Sequence, residues 1–206
     1  VRSHGLSLSE AGGVVGLSGA LGLIGTFMGG FAADRFAGRA GRSYVWVPAL
    51  GGALTCFFYL GAFTAGDWSI GMPMLLAAAV AYNLKNGPMY AAIQNIVPDH
   101  MRATGAAIFM FGATVVGSMT GPLVAGLVSD ATAAGRFPAA LGAFEQACPG
   151  GRAADGAAAT VAEACAAASA GGLQTALVVV AMGFLVASVF LTLAGFSLKP
   201  APTKAD

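Results

Sequence analysis

Charge is what this sequence has least of. Asp, Glu, Lys and Arg make up 9% of its 206 residues, against about 25% in soluble domains. That scarcity excludes an ordinary water-facing surface. The net charge of +1 excludes nucleic acid as a partner, because no basic field exists to neutralise phosphates. Metal ligands are equally sparse. His4 and His100 stand alone, and Cys56, Cys148 and Cys165 lack the spacing of a zinc site, so no metal centre is expected. A P-loop and a GxSxG elbow are both absent, which argues against an ATPase or a hydrolase. Neither catalytic residues nor a cofactor are expected. No run alternates polar and apolar residues over ~10 positions, so a transmembrane barrel is not expected. No signal peptide precedes the first apolar run. The polar opening VRSHGLSLSE leads from Val1 straight into it, and the chain reads as a piece of something longer or an isolated half.

Apolar residues and glycine are abundant. Hydrophobic residues reach 57%, there are 31 glycines, and the mean hydropathy is +0.77. Five apolar segments stand out, at about 12–33, 44–65, 72–97, 104–128 and 173–198. Each is close to or above the ~20 residues that a helix needs to cross hydrocarbon. The expected fold is all-α and integral to a lipid bilayer, with five transmembrane helices. Three connections are short; the fourth, 129–172, is a long Ala- and Gly-rich stretch expected to be a partly ordered excursion outside the bilayer. Within it, 153–169 has helix-forming composition.

The Lys/Arg bias orients the spans. Arg35, Arg39, Arg42, Arg102, Lys199 and Lys204 fall on one side, and Arg2, Arg136 and Arg152 on the other. The first short loop, the 98–103 loop and the C-terminus are therefore expected in the cytoplasm, with the N-terminus and the long loop outward. In an oxidising outer space Cys148 and Cys165 can pair; two unpaired thiols in a mobile loop is the competing reading. Cys56, inside a span, reads as a small packing residue.

Glycine marks the expected helix contacts. Gly12 and Gly16 are four apart, as are Gly25 and Gly29, a spacing that lets backbones approach closely in lipid. Gliding and static packing both fit. Gly105, Gly112, Gly117 and Gly121 suggest similar contacts in the fourth segment, with a kink expected at Pro122.

The third segment carries the polar groups. At 100° per residue, Asn83, Asn86, Gly87, Tyr90 and Gln94 fall within about a third of the circumference. A polar stripe on a membrane helix should face protein or water, so these residues are cavity-lining candidates for a small-molecule substrate. Pro88 leaves the Leu84 carbonyl without its helical partner and is expected to kink the helix there. Lys85 lies close to the midplane, where a charge costs roughly 3 kcal/mol by insertion scales. On a regular wheel it points about 200° away from Asn83. Three readings stand: it binds an anionic group of a substrate, pairs with a carboxylate on an absent half, or lies against a neighbouring helix as a structural group bonded to carbonyls or uncharged. No Asp or Glu lies within the five segments, so any proton-carrying carboxylate must lie elsewhere.

The first loop holds a motif. Gly30 is followed by Asp34 and Arg35, then by Gly38, Arg39 and Arg42. Asp34 ends a helix, where the dipole disfavours a carboxylate unless a cation or the start of another helix engages it. A cluster that holds in only one arrangement makes a conformational latch. Simple positive-inside anchoring explains the arginines but not Asp34.

GxxxDRxxGR between two spans resembles the signature loop of the major facilitator superfamily of secondary transporters. Here the second glycine, Gly38, comes one residue later than in the usual pattern because of Ala37, which matches the weaker copy of that loop in the C-terminal half. A second stretch resembles the Spinster-like branch: Gly87-Pro88, Gln94, Val97-Pro98, Met101-Arg102-Ala103, Gly121-Pro122 and Ser129-Asp130. The resemblance implies a partial C-terminal domain of a twelve-helix transporter, its five spans corresponding to the eighth through twelfth helices of a six-plus-six arrangement. It implies alternating access, a cavity shared with a missing N-terminal half or seventh helix, and residence in a bacterial inner (plasma) membrane. It also implies lipid-like or organic-anion cargo for some members, with H+ or Na+ as coupled ion. A truncated product or a non-transporting membrane scaffold is the alternative.

Overall fold

The computed structural model describes residues 8–37, 41–154 and 156–197. Gly38 and Arg39 of the loop motif lie outside the described residues, as do Arg2, His4, Lys199 and Lys204. Among the described residues seven α-helices occur in order: α1 Leu8–Arg35, α2 Ser43–Thr64, α3 Trp68–Asn83, α4 Asn86–Ile96, α5 Arg102–Arg136, α6 Phe144–Ala147 and α7 Ala159–Ser197. No strand occurs among the described residues. The fold is all-α, and α1, α2, α5 and α7 are each long and apolar enough to cross a membrane.

These helices hold despite much glycine because lipid leaves the backbone no partner but itself. Hydroxyls inside them follow the same rule by bonding back to the preceding turn. Thr55 donates to Gly51 O at 2.7 Å and Ser18 to Val14 O at 2.7 Å; Thr120 does the same to Val116 O. The apolar stretch of α5 is exposed within this chain. Phe111 is 71% and Met119 69% exposed, a surface that suits lipid or further helices and not water.

The third apolar segment starts earlier than expected, at Trp68, and is two helices. Asp67 caps α3 by accepting from the Ser69 backbone N–H at 3.0 Å. The break falls at Leu84 and Lys85, whose backbones stay right-handed helical. Pro88 has no N–H to give the Leu84 carbonyl, and the ladder resumes with Met89 N donating to Lys85 O at 3.0 Å.

The expected long loop is shorter than its composition suggested. α5 continues unbroken through Pro122 to Arg136, and α7 begins at Ala159. Alanine sustains helix without apolar bulk, so the fall in hydropathy after Val128 and before Leu173 marks no helix end. At about 1.5 Å per residue, the 35 residues of α5 and 39 of α7 both outrun a ~30 Å hydrocarbon layer.

Contacts divide the described residues into two units, one of 8–112 with 181–197 and one of 113–180. In the first, α3 packs on both α1 and α2. The approach to α1 is closest at glycine: a side chain at Gly25 or Gly29 would run into the backbones of Val80 and Leu84. Gly12 and Gly16, equally spaced, have no described neighbour within 4 Å. α7 joins α2 through Ser188, buried and donating to Ala49 O at 2.5 Å. Cys56 is buried.

The second unit is clasped by a disulfide between Cys148 and Cys165, Cα atoms 5.7 Å apart. Phe137 packs edge-on against Phe144 at 5.6 Å, and Ser169 donates to Gly151 O at 2.7 Å.

Candidate functional site

The α3–α4 break collects most of the polar side chains singled out in the sequence. Asn83, the last residue of α3, donates to Ala79 O at 2.8 Å. Asn86, the first residue of α4, donates to Asn83 Oδ1 at 2.8 Å. Together they bridge the step where the backbone ladder is interrupted. Asn83 lies against Gly22 of α1, where a side chain would meet its amide. One turn beyond Asn86, Tyr90 packs edge-on against Phe109 of α5, with centroids 6.0 Å apart. Gln94 is exposed. The stripe is therefore flanked by α1 at one end and by α5 further along, and Gln94 is not drawn into it.

Lys85 stands on another side. Its Nζ donates to the Tyr82 carbonyl at 3.1 Å and sits 3.1 Å from the Tyr82 ring centroid. Such a pair combines a charge-assisted hydrogen bond with the ring's electron-rich face. The Tyr82 ring in turn meets Phe184 of α7 edge-on at 5.6 Å, and Phe184 lies 6.1 Å from Tyr59 of α2. Lys85 thus belongs to an aromatic seam with α2 and α7, while Asn83 turns to α1. The kink does not bring them together. Tyr82, which the sequence reading passed over, is the residue that engages the lysine; its place three residues before Lys85 was the available signal.

Close backbone approach fixes the break in place. The Leu84 carbonyl, orphaned by Pro88, is pressed toward Gly29 of α1. Gly87 lies against Gly30 and the Thr26 carbonyl, where no Cβ would fit without displacement. Gly30 of the loop motif therefore packs on the broken helix.

The rest of the motif ties α1 to α2. Ser43, buried, donates to the Ala33 carbonyl at 2.6 Å. The Tyr44 hydroxyl donates to Asp34 Oδ1 at 2.8 Å. The carboxylate thus accepts from a side-chain hydroxyl in the first turn of the next helix. Gly41 turns the chain into α2 with φ of 58°, which a side chain rarely tolerates. Arg35 closes α1 and Arg42 precedes α2. No group of three or more His, Cys, Asp or Glu able to hold a metal occurs among the described residues.

An all-helical chain with four helices long and apolar enough to cross a membrane, and with another helix broken at a polar step, is of the kind found in integral membrane proteins of the transporter type. Solved structures of a bacterial homologue of the human lysosomal transporter Spinster have the same fold. The inward-facing unoccupied form aligns with a TM-score of 0.78 and 26% identity, over 97% of this chain and 44% of that one. The inward-facing occupied form gives 0.76 and 25%, over 97% and 45%. A curated MFS-type efflux pump of Mycolicibacterium smegmatis is 36% identical over 134 residues, 63% of this chain and 30% of the pump. No family model matches the chain. The chain is thus similar to part of a major facilitator superfamily transporter, on its Spinster-like side. It spans less than half the length of these relatives.

Proposed function

We propose that the chain supplies the C-terminal half of a secondary transporter that works by alternating access. The observation that carries this reading is the α3–α4 break, where Asn83 and Asn86 bridge the interrupted ladder between α1 and α5. A helix interrupted in mid-span places polar side chains toward a substrate without exposing them to lipid. Asn83, Asn86 and Tyr90 line the cavity, with Gln94 at its end. The third apolar segment crosses the membrane as the kinked pair α3–α4, giving five spans. The basic loop between α1 and α2 faces the cytoplasm and the disulfide-clasped segment faces outward, as the Lys/Arg bias supports. The partner is the N-terminal half with the seventh helix, and the loop motif acts as a latch between conformations. Cargo is a small organic anion or an amphiphile, moved with H+ or Na+.

The test is transport by the full-length reading frame in energised vesicles. Replacing Asn83 and Asn86 together by Ala should cut transport at least tenfold with unchanged membrane abundance, since two buried polar contacts to cargo are worth about 1–3 kcal/mol or more. Undiminished transport at equal abundance would remove the stripe from the cavity wall. A full-length frame that moves no substrate at all would favour a membrane scaffold.

A further inference from the structure

The unit of residues 113–180 contains a cavity of about 380 Å³ that the transport reading does not use. This is within the range of small-ligand sites, roughly 300–1,000 Å³. Ser129 and Asp130 of α5, Phe144 of α6, Arg152, and Ser169 and Leu173 of α7 line it. One wall is built rather than incidental. The Cys148–Cys165 disulfide and the bond from Ser169 to the Gly151 carbonyl hold the Pro149–Gly151 turn against α7. Gly150 and Gly151 turn that wall with φ of 65° and 78°, values that side chains rarely adopt.

Two charges of opposite sign stand at the rim. Asp130 and Arg152 both line the cavity, both are exposed, and neither makes an ion pair among the described residues. A guanidinium suits a phosphate through paired hydrogen bonds. A carboxylate that shares a cavity wall with an aromatic ring, here Phe144, suits an ammonium group. Depth narrows the choice further. Ser129 directly follows the apolar stretch that ends at Val128, and Leu173 opens the next one. On the reading of those stretches as spans, the cavity lies at the level of lipid headgroups.

We propose that this cavity binds a zwitterionic aminophosphate group, Arg152 taking the phosphate and Asp130 with Phe144 the ammonium. The chemistry is that of a phosphatidylethanolamine headgroup or of a soluble phosphoethanolamine. The inference rests on the span boundaries but not on transport, so its test is a binding measurement.

The 206-residue chain is reconstituted in nanodiscs of phosphatidylglycerol with a minor share of phosphatidylethanolamine, and retained lipid is read by native mass spectrometry. Preferential retention of phosphatidylethanolamine is expected. The double variant Asp130→Asn, Arg152→Gln should lose it by roughly tenfold or more, with the disulfide still closed by thiol labelling as the check on folding. Free phosphoethanolamine is added in a second arm. If it binds and the lipid is not preferred, the ligand is the soluble zwitterion. Equal retention of both lipids with no binding of phosphoethanolamine, or retention untouched by the double substitution, overturns the proposal.

Discussion

The Lys85 side chain folds back along its own helix, with the Tyr82 carbonyl and ring as partners. Contacts of this kind lower the cost of an ammonium in apolar surroundings, and an anionic group of a substrate would have to compete with them. In the full-length transporter, Lys85→Ala should abolish transport while membrane abundance stays intact. Unchanged transport at equal abundance would leave Lys85 a structural role only. The glycines of α1 make the complementary case, where identity in sequence hides different surroundings. An alanine at Gly29 must displace the Leu84 backbone, and overpacking of this kind costs about 1–3 kcal/mol. An alanine at Gly16 meets no described neighbour and should be neutral or stabilising by up to ~1 kcal/mol through helix propensity. Thermal unfolding in detergent separates the two; equal shifts for both would mean that the α1–α3 contact is not close.

At the level of elements, most helices were legible because membrane helices announce themselves by length and hydropathy. The observed α1 and α2 end within a few residues of the expected 12–33 and 44–65. The break in the third segment was legible from Pro88 alone. Composition marked 153–169 as helix-forming, and α7 does begin at Ala159; what it missed was α5 past Val128, carried by alanine, which has helix propensity but little hydropathy. The bonding of the site was legible only in part. Wheel geometry separated Lys85 from Asn83, but the Asn83–Asn86 bridge and the Tyr44–Asp34 bond depend on rotamers and on neighbouring helices. The start of α3 yields a pH test. The Ser69 backbone N–H holds the Asp67 carboxylate below its ordinary value of 3.8. A lowered carboxylate pKa stabilises the folded form above the unfolded value and loses that contribution as pH falls through the folded one. The first turn of α3 should therefore fray only below 3.8, with Asp67→Asn abolishing the dependence because asparagine caps without titrating. Amide exchange at Ser69 and Gly71 on either side of that range reads it; the same acid fraying in the asparagine variant would assign it to another group.

At the level of the whole chain, two devices hold structure together by different physics. The unit containing α1–α4 relies on glycine-mediated backbone approach, where each contact is small and many are needed. The unit of 113–180 closes its loop end covalently, and its apolar cluster of Phe137, Cys148, Cys165 and Ala168 is small. A core that small gives little burial energy, so the cross-link should dominate local stability. With the cysteines 17 positions apart in sequence, loop-closure entropy assigns the bond about 3 kcal/mol. Replacing Cys148 and Cys165 by Ser should therefore leave α1–α4 protected from proteolysis while cleavage within 137–158 rises by about a hundredfold, the factor that ~3 kcal/mol implies when opening is fast relative to cutting. The comparison is made in nanodiscs, with the wild type under reducing and non-reducing conditions as a second arm. Reduction of the wild type should reproduce the double variant. Cleavage that stays slow in both would show that packing of Phe137 on Phe144, and not the disulfide, closes this loop end.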